Sequence, residues 1–412
     1  MEHVLMLGNG FDLYYKLPTK YNNFLQLTEF LFKIDIQKFE SLGAILKAYT
    51  GSREDPFVAT CYCAHQELYD QTPVTPEQVE ALRNLTKDNI WFQYLLKSFN
   101  KDVGWIDFEK EISTVVHSLQ NHLSKSKLHN FYISRAEDTI TSHILQSLPC
   151  FFHQSDDPFT LGAYRLDRHY VVEYPLGSKH YIIDTSKIMS VLAAALSELS
   201  EALKLYLSIF ADSILPTHAD STLPTHDAHF HFEWTLPFRG INRIITFNYT
   251  KTYERVFYHW VHHLHGSTDG KIVLGINPDK YDEVESADTL CIAFKKYYQR
   301  VMYGTDTEYL SWINQDGLEY TLMVMGHSLD VTDADIIRDL FSKAREITII
   351  YHDDNAKSSY IGNIIKMYGK SGFDKLRKEQ NLTFRHVHSD FSDIIKKREK
   401  NQDDLPTVSV FP

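Results

Sequence analysis

The hydrophobic positions open with a short apolar run, His3 to Leu7, which breaks at Gly8-Asn9-Gly10 and gives way to helical spacing over Tyr21 to Phe32. This order predicts a buried strand, a glycine turn and a helix. From about residue 76 to 148 apolar residues recur three and four apart, as in Val79, Leu82 and Leu85 or Ile112, Val115, Val116 and Leu119. That spacing predicts a helical body. Short strands are expected at Tyr170 to Tyr174 and His180 to Ile183, and Ile188 to Phe210 reads as a long helix rich in Ala and Leu. Further on, apolar runs at Ile244 to Phe247, Ile272 to Ile276, Leu322 to Met325 and Ile347 to Tyr351 alternate with helical stretches. Their rhythm is that of a parallel α/β sheet.

The expected fold is therefore α/β, a Rossmann-like parallel sheet with a large, mostly helical insertion. Residues 1–30 and 235–412 would form the nucleotide-binding domain and 31–210 the inserted body. Residues 211–234 contain a tandem duplication, DSILPTHA then DSTLPTHD, whose two prolines favour an exposed linker.

Composition narrows the function. With 42 Lys and Arg against 54 Asp and Glu, the net charge of −12 opposes a polyanion, so a nucleic-acid partner is not expected. The four cysteines, at 61, 63, 150 and 291, are too scattered for a secreted disulfide framework and point to a reducing cytoplasm. Met1 to Leu7 lacks the basic segment of a signal peptide, and no apolar run reaches membrane length, so no membrane association is expected.

Gly8-Asn9-Gly10 stands where bare amides and a helix dipole can receive a pyrophosphate. Leu13 occupies the place of the third glycine of the dehydrogenase fingerprint, and the alternative is a tight turn with glycines for backbone reasons alone. Asp12 at the helix start suits a cap or a ribose hydroxyl.

The segment GNGFDLYYKLPTKY, Gly8 to Tyr21, resembles the N-terminal motif of the AbiH phage abortive-infection family, a resemblance that extends along the chain and takes in Trp105-Ile106-Asp107-Phe108-Glu109. The same segment is similar to the glycine motif of the sirtuin superfamily. Three further sirtuin-like motifs follow in order: Thr246 to Thr250 (TFNYT), His263 to Ser267 (HLHGS) and Gly326 to Val331 (GHSLDV). This resemblance implies a sirtuin-like nucleotide domain with NAD as substrate or ligand, held by Gly8, Asn9, Gly10, Asp12, Thr246, Gly266, Gly326, His327 and Ser328. Paired Cys-x-x-Cys elements are absent, so the zinc ribbon of protein deacylases is not expected. Sirtuin-like Thoeris defence effectors cleave NAD with an Asn and a His, and Asn248 and His265 are the matching pair. Phe247 and Thr250 stand where the sirtuin motif has Gln and Asp.

Cleavage of the nicotinamide–ribose bond passes through an oxocarbenium-like state and needs a polar group at the ribose and a base for the attacking water. Asn248 suits the first role, and a histidine of unperturbed strength near 6.5 the second. Both side chains also have a purely structural alternative, a strand-end cap and a packed core histidine. Asp330, Asp333 and Asp335 precede an amphipathic helix, and one of them should supply its cap, a ribose or metal contact being the alternative. Asp107, Glu109 and Glu111 read as the capped start of a helix with a solvated acidic face rather than a nuclease cluster. The histidines at 218, 226, 229, 231, 259, 262, 263 and 265 lack ligand spacing, and no metal is expected. The basic stretch from Lys366 to Lys400 reads as a solvated face.

The expected function is that of a phage-defence effector cleaving NAD, homo-oligomeric and quiet until a phage-derived trigger acts. The alternatives are a sensor that binds NAD or ADP-ribose without turnover and a metal-dependent nuclease toxin.

Overall fold

A computed structural model describes residues 2–52, 55–99, 106–126, 128, 131–133, 138–154, 163–174, 177, 180–215, 241–257, 259–276 and 291–387. Most of the duplicated segment, Trp105 and the histidines at 218, 226, 229 and 231 lie outside these residues.

Strand β1 (Glu2–Leu7) opens the chain. Within the helical part lie a three-stranded antiparallel sheet of β2 (Tyr132–Ile133), β3 (Phe152–Gln154) and β4 (Tyr164–Leu166), and a pair of strands, β5 (Val171–Glu173) and β6 (Tyr181–Ile183). Then come β7 (Arg243–Thr246), β8 (His262–His263), β9 (Tyr320–Met325), β10 (Ala344–Tyr351) and β11 (Thr383–His386). With β1 these five form one sheet in the order β11-β10-β9-β1-β7-β8, every neighbouring pair parallel. The chain winds to one side of β1 for β7 and β8 and to the other for the remaining three strands. Ligands of open parallel sheets bind at the carboxyl ends of the strands where the winding reverses.

Alternation along β1 divides the interior in two. Val4 and Met6 pack with Leu340, Phe341 and Ile364, whereas Leu5 and Leu7 pack with Phe24, Phe108 and Tyr206 of the helical body. The helical body thus covers one face of the sheet and shares its core. Its longest described helix, Thr185–Phe210, starts at Asp184, which accepts from the Lys187 amide, and accepts through its carbonyls from Trp91 and Asn89. Tyr206 donates to the Pro18 carbonyl at 2.8 Å and so ties this helix to the loop after β1.

The structure departs from the sequence pattern in several places. Ile272 to Ile276 are buried but form no strand beyond an isolated bridge at Ile276. Their backbone is bonded by other groups, Leu274 exchanging two bonds with the Gln299 carboxamide and Val273 accepting from the Tyr249 hydroxyl. The start of the duplication is mostly buried, with Ser213 exposed: Asp212–Ile214 form a 3-10 turn, and Asp212 is buried as acceptor of the Lys251 amide and the Thr268 hydroxyl. The last strand, β11, has no counterpart in the apolar runs.

Candidate functional site

The turns after β1, β7, β8 and β9 converge on one cleft of about 610 Å³, whose opposite wall comes from the helical body through Tyr21, Asp107, Glu109, Leu203 and Leu207. After β1, the Gly8 amide donates to the Met325 carbonyl at 3.1 Å and the Gly10 amide to the Gly326 carbonyl at 2.8 Å. The two turns touch through backbone. A Cβ on Gly8 would lie 2.5 Å from His327 Cα, and one on Gly326, whose φ is +69°, would lie 2.4 Å from the Phe11 nitrogen. The expected bare amides of Gly8 and Gly10 are therefore already occupied, and these glycines are required for contact between turns. Asn9 accepts from the Thr19 hydroxyl at 2.7 Å and fastens the following loop.

Asp12 is buried and accepts from the Thr250 hydroxyl at 2.6 Å, while its Oδ1 has no hydrogen-bond partner among the described residues. Loss of solvent pushes its carboxyl up to about 6, against the bonds from Thr250 and Thr252. Thr246 lies behind the cleft, where its hydroxyl accepts from the Asn248 amide at 3.0 Å. Asn248 is held from behind by His263, which donates through Nδ1 to the Asn248 carbonyl at 2.8 Å. The buried Asn248 Oδ1, like Asp12 Oδ1, has no partner among the described residues.

His265 is buried at the end of the β8 segment, its ring perpendicular to that of Phe247 at 5.1 Å. Phe247 also meets the ring of His327 at 4.2 Å, so one phenylalanine contacts two imidazoles. Burial pulls His265 down to about 4, with Lys296 and Arg300 adding to the effect and Asp333 opposing it. The ring is neutral near pH 7 but a weaker base than the unperturbed histidine expected from sequence. Gly266, at φ +74°, faces away from the cleft and clears the Lys271 carbonyl, 1.9 Å from where a Cβ would stand.

After β9, His327 Nδ1 accepts from the Leu329 amide at 2.9 Å, which leaves the proton on Nε2, 3.4 Å from Asp333 Oδ2. Asp333 Oδ1 lies 3.3 Å from His265 Nε2 and 2.7 Å from Lys296 Nζ, and Glu109 Oε2 lies 2.7 Å from the same Nζ. Desolvation pushes Asp333 up, but Lys296 and His265 outweigh it and hold the carboxylate well below its usual range. Burial also works against the Lys296 charge, yet Asp333 and Glu109 raise it further, so it stays an ammonium.

Asn9, Gly10, Asp12, Asn248, His265, Gly326, His327 and Ser328 thus border one cleft, whereas Gly8, Thr246 and Gly266 stand behind it. The acidic residues and one lysine take roles beyond the sequence reading. Asp330 accepts from the Thr332 amide at 3.1 Å and caps the 3-10 turn Val331–Asp333, whereas Asp333 stands at the start of helix Ala334–Lys343 without a side-chain capping bond and lines the cleft. Asp107 does cap its helix, accepting from the Lys110 amide at 3.1 Å, but Glu109 is not on a solvated face. Lys296 was missed altogether. A signal existed: helix Lys296–Tyr303 buries Lys296, Gln299 and Arg300 and exposes Val301 and Met302, a reversed amphipathic pattern.

A model of the family described as bacteriophage abortive infection AbiH matches residues 4–353. The chain belongs to the AbiH family. No curated protein and no solved structure matches the chain. The AbiH match contains every residue of the strand-end turns and of the Glu109, Lys296 and Asp333 cluster, and the family suggests a role in phage abortive infection. Among the described residues of this AbiH chain, no helix is long and apolar enough to cross a membrane.

Proposed function

We propose that this chain is an abortive-infection effector whose cleft binds NAD and cleaves its nicotinamide–ribose bond. The observation that carries the reading is the meeting of Asn248 and His265, from neighbouring strand ends, in a ligand-sized cleft at the reversal of winding. Counted in order of appearance, the strands run 3-2-1-4-5-6 across the sheet, the order of doubly wound dinucleotide folds, which supports a Rossmann-like, sirtuin-like assignment. Lys20 and Lys366 border the cleft and suit a pyrophosphate, a role the engaged amides of Gly8 and Gly10 leave open. Asn248 would bond ribose hydroxyls, and the neutral His265 would orient the water. The helical body would serve oligomerisation or sensing of a phage trigger in the cytoplasm.

A second reading, a sensor that binds NAD or ADP-ribose without turnover, is favoured by the low basicity of His265. The nuclease reading, built on Asp107 and Glu109, loses support because Asp107 is held as a helix cap and Glu109 is paired with Lys296.

Incubation of NAD with the purified protein, followed by chromatography, tests the proposal. Wild type should release nicotinamide, and Asn248→Ala and His265→Ala should each be slower by about 100-fold or more. Intact NAD, with nucleotide recovered from the denatured protein, favours the sensor.

A further inference from the structure

We infer that Glu109, brought to the cleft by the helical body, takes the proton from the water that attacks the ribose. This assignment rests on the NAD-cleaving reading and completes it, since that reading has lost its strong base. The helix Phe108–Lys125 begins with Asp107 as cap, which aims its first turn at the strand ends and places Glu109 on the cleft wall opposite Asn248 and His265. Glu109 Oε2 is anchored 2.7 Å from the fully buried Lys296 Nζ, so the carboxylate is fixed in position.

The other carboxylates that line the cleft are placed differently. Both oxygens of Asp333 are engaged, Oδ1 by Lys296 and His265 and Oδ2 by His327, whereas Glu109 meets Lys296 through Oε2. Asp12 lies beside Asn248 on the wall built by the strand-end turns, bonded by Thr250, and not on the wall that faces it. Glu109 faces Lys296, Asp333, Asp107 of its own helix cap, and the phenols of Tyr21 and Tyr249. Burial pushes its carboxyl up to about 7, Lys296 pulling against the shift and Asp333 and Asp107 adding to it. A base of that strength both accepts and releases a proton near neutrality.

The step balances without a further reactant. A water O–H bond breaks and its oxygen bonds the ribose C1′. The C1′–N bond breaks, and its electron pair neutralises the pyridinium of the departing nicotinamide. The proton goes to Glu109 and then to solvent, leaving ADP-ribose, nicotinamide and one proton.

The test follows nicotinamide release by the full chain from pH 5 to 9, with NAD binding measured by calorimetry. Wild type should lose rate below about pH 7. Glu109→Gln should bind NAD within about threefold of wild type, lose about 100-fold or more in kcat and lose that acidic limb. Glu109→Asp should recover part of the rate. Wild-type rate and limb in Glu109→Gln would overturn the assignment while leaving NAD cleavage standing. Loss of NAD binding in both variants would make Glu109 structural and overturn it as well. A wild type that leaves NAD intact removes the underlying reading and this assignment with it. Infrared titration of the unliganded protein supplies a readout independent of turnover: a carboxyl band present in wild type and missing in Glu109→Gln should titrate near pH 7, and a midpoint near 4.5 overturns the assignment.

Discussion

The glycine contact between the turns after β1 and β9 and the cluster of Glu109, Lys296 and Asp333 meet at the same cleft, yet they are built from opposite materials. The contact is uncharged backbone, with turn amides bonded to carbonyls and glycines where a Cβ would collide. The cluster is charged side-chain tips drawn from three segments and held in a buried setting. Backbone contact fixes shape and is blind to pH. Buried charge fixes the protonation of the cleft and depends on every partner being present. A site needing both rigid shape and a proton acceptor near neutrality can obtain each from a different wall.

The comparison breaks most sharply at Lys296. Replacing it in Lys296→Met leaves two carboxylates without their cation and should lower unfolding stability by about 3–5 kcal/mol in urea titration at pH 7.5. At pH 5, where Glu109 holds a proton, the deficit should shrink. In the glycine contact, Gly326→Ala adds a strained left-handed alanine to an overpacked backbone and should lose roughly 4 kcal/mol, equally at both pH values. Equal pH dependence in these two variants would erase the distinction.

Asp12 tests the charged side from the opposite direction. Its folded carboxyl sits at about 6 against an ordinary value of 3.8, so the folded chain holds a proton that the unfolded chain releases. The contribution of Asp12 to stability is therefore fully present below about pH 4 and is lost as the pH rises through 6. Asp12→Asn should remove that decline and gain about 3 kcal/mol at pH 7.5, read as a higher Tm, with NAD turnover reduced. The smallest effect belongs to Gly304, which shares the φ of +69° found at Gly326 but has no atom within 4 Å of where a Cβ would stand. Gly304→Ala should cost about 1 kcal/mol, and the gap between the two alanine variants measures the contact alone.

The two regions also differ in how plainly the sequence announces them. Gly8-Asn9-Gly10, the Asn248 and His265 motifs and Gly326-His327-Ser328 are legible because each packs its geometry into a few consecutive residues at a strand end. Glu109, Lys296 and Asp333 meet only after the chain has folded, and each has a bland local explanation as acidic helix start, surface lysine or helix cap. The sheet was legible for the same reason as the motifs, since β1, β7, β9 and β10 are short apolar runs. Ile272 to Ile276 misled because burial there comes with a mixture of side-chain and loop-backbone hydrogen bonds in place of a continuous ladder. Thr383–His386 was invisible because its four residues are only partly buried at the sheet edge.

The pairing of β1 bears on the order of synthesis. His3 is bonded to Asn242, 239 positions along the chain, and β9 lies farther still. At about 5–20 residues per second, roughly 10–50 s of translation separate the first strand from its first neighbour. During that interval the strand has no ladder, and the turn at Gly8 has no Gly326 to press against. A nascent chain that stops before β9 can contain most of the helical body and still possess no cleft, so the cleft comes into being only once β9 and the turn at Gly326 have been made.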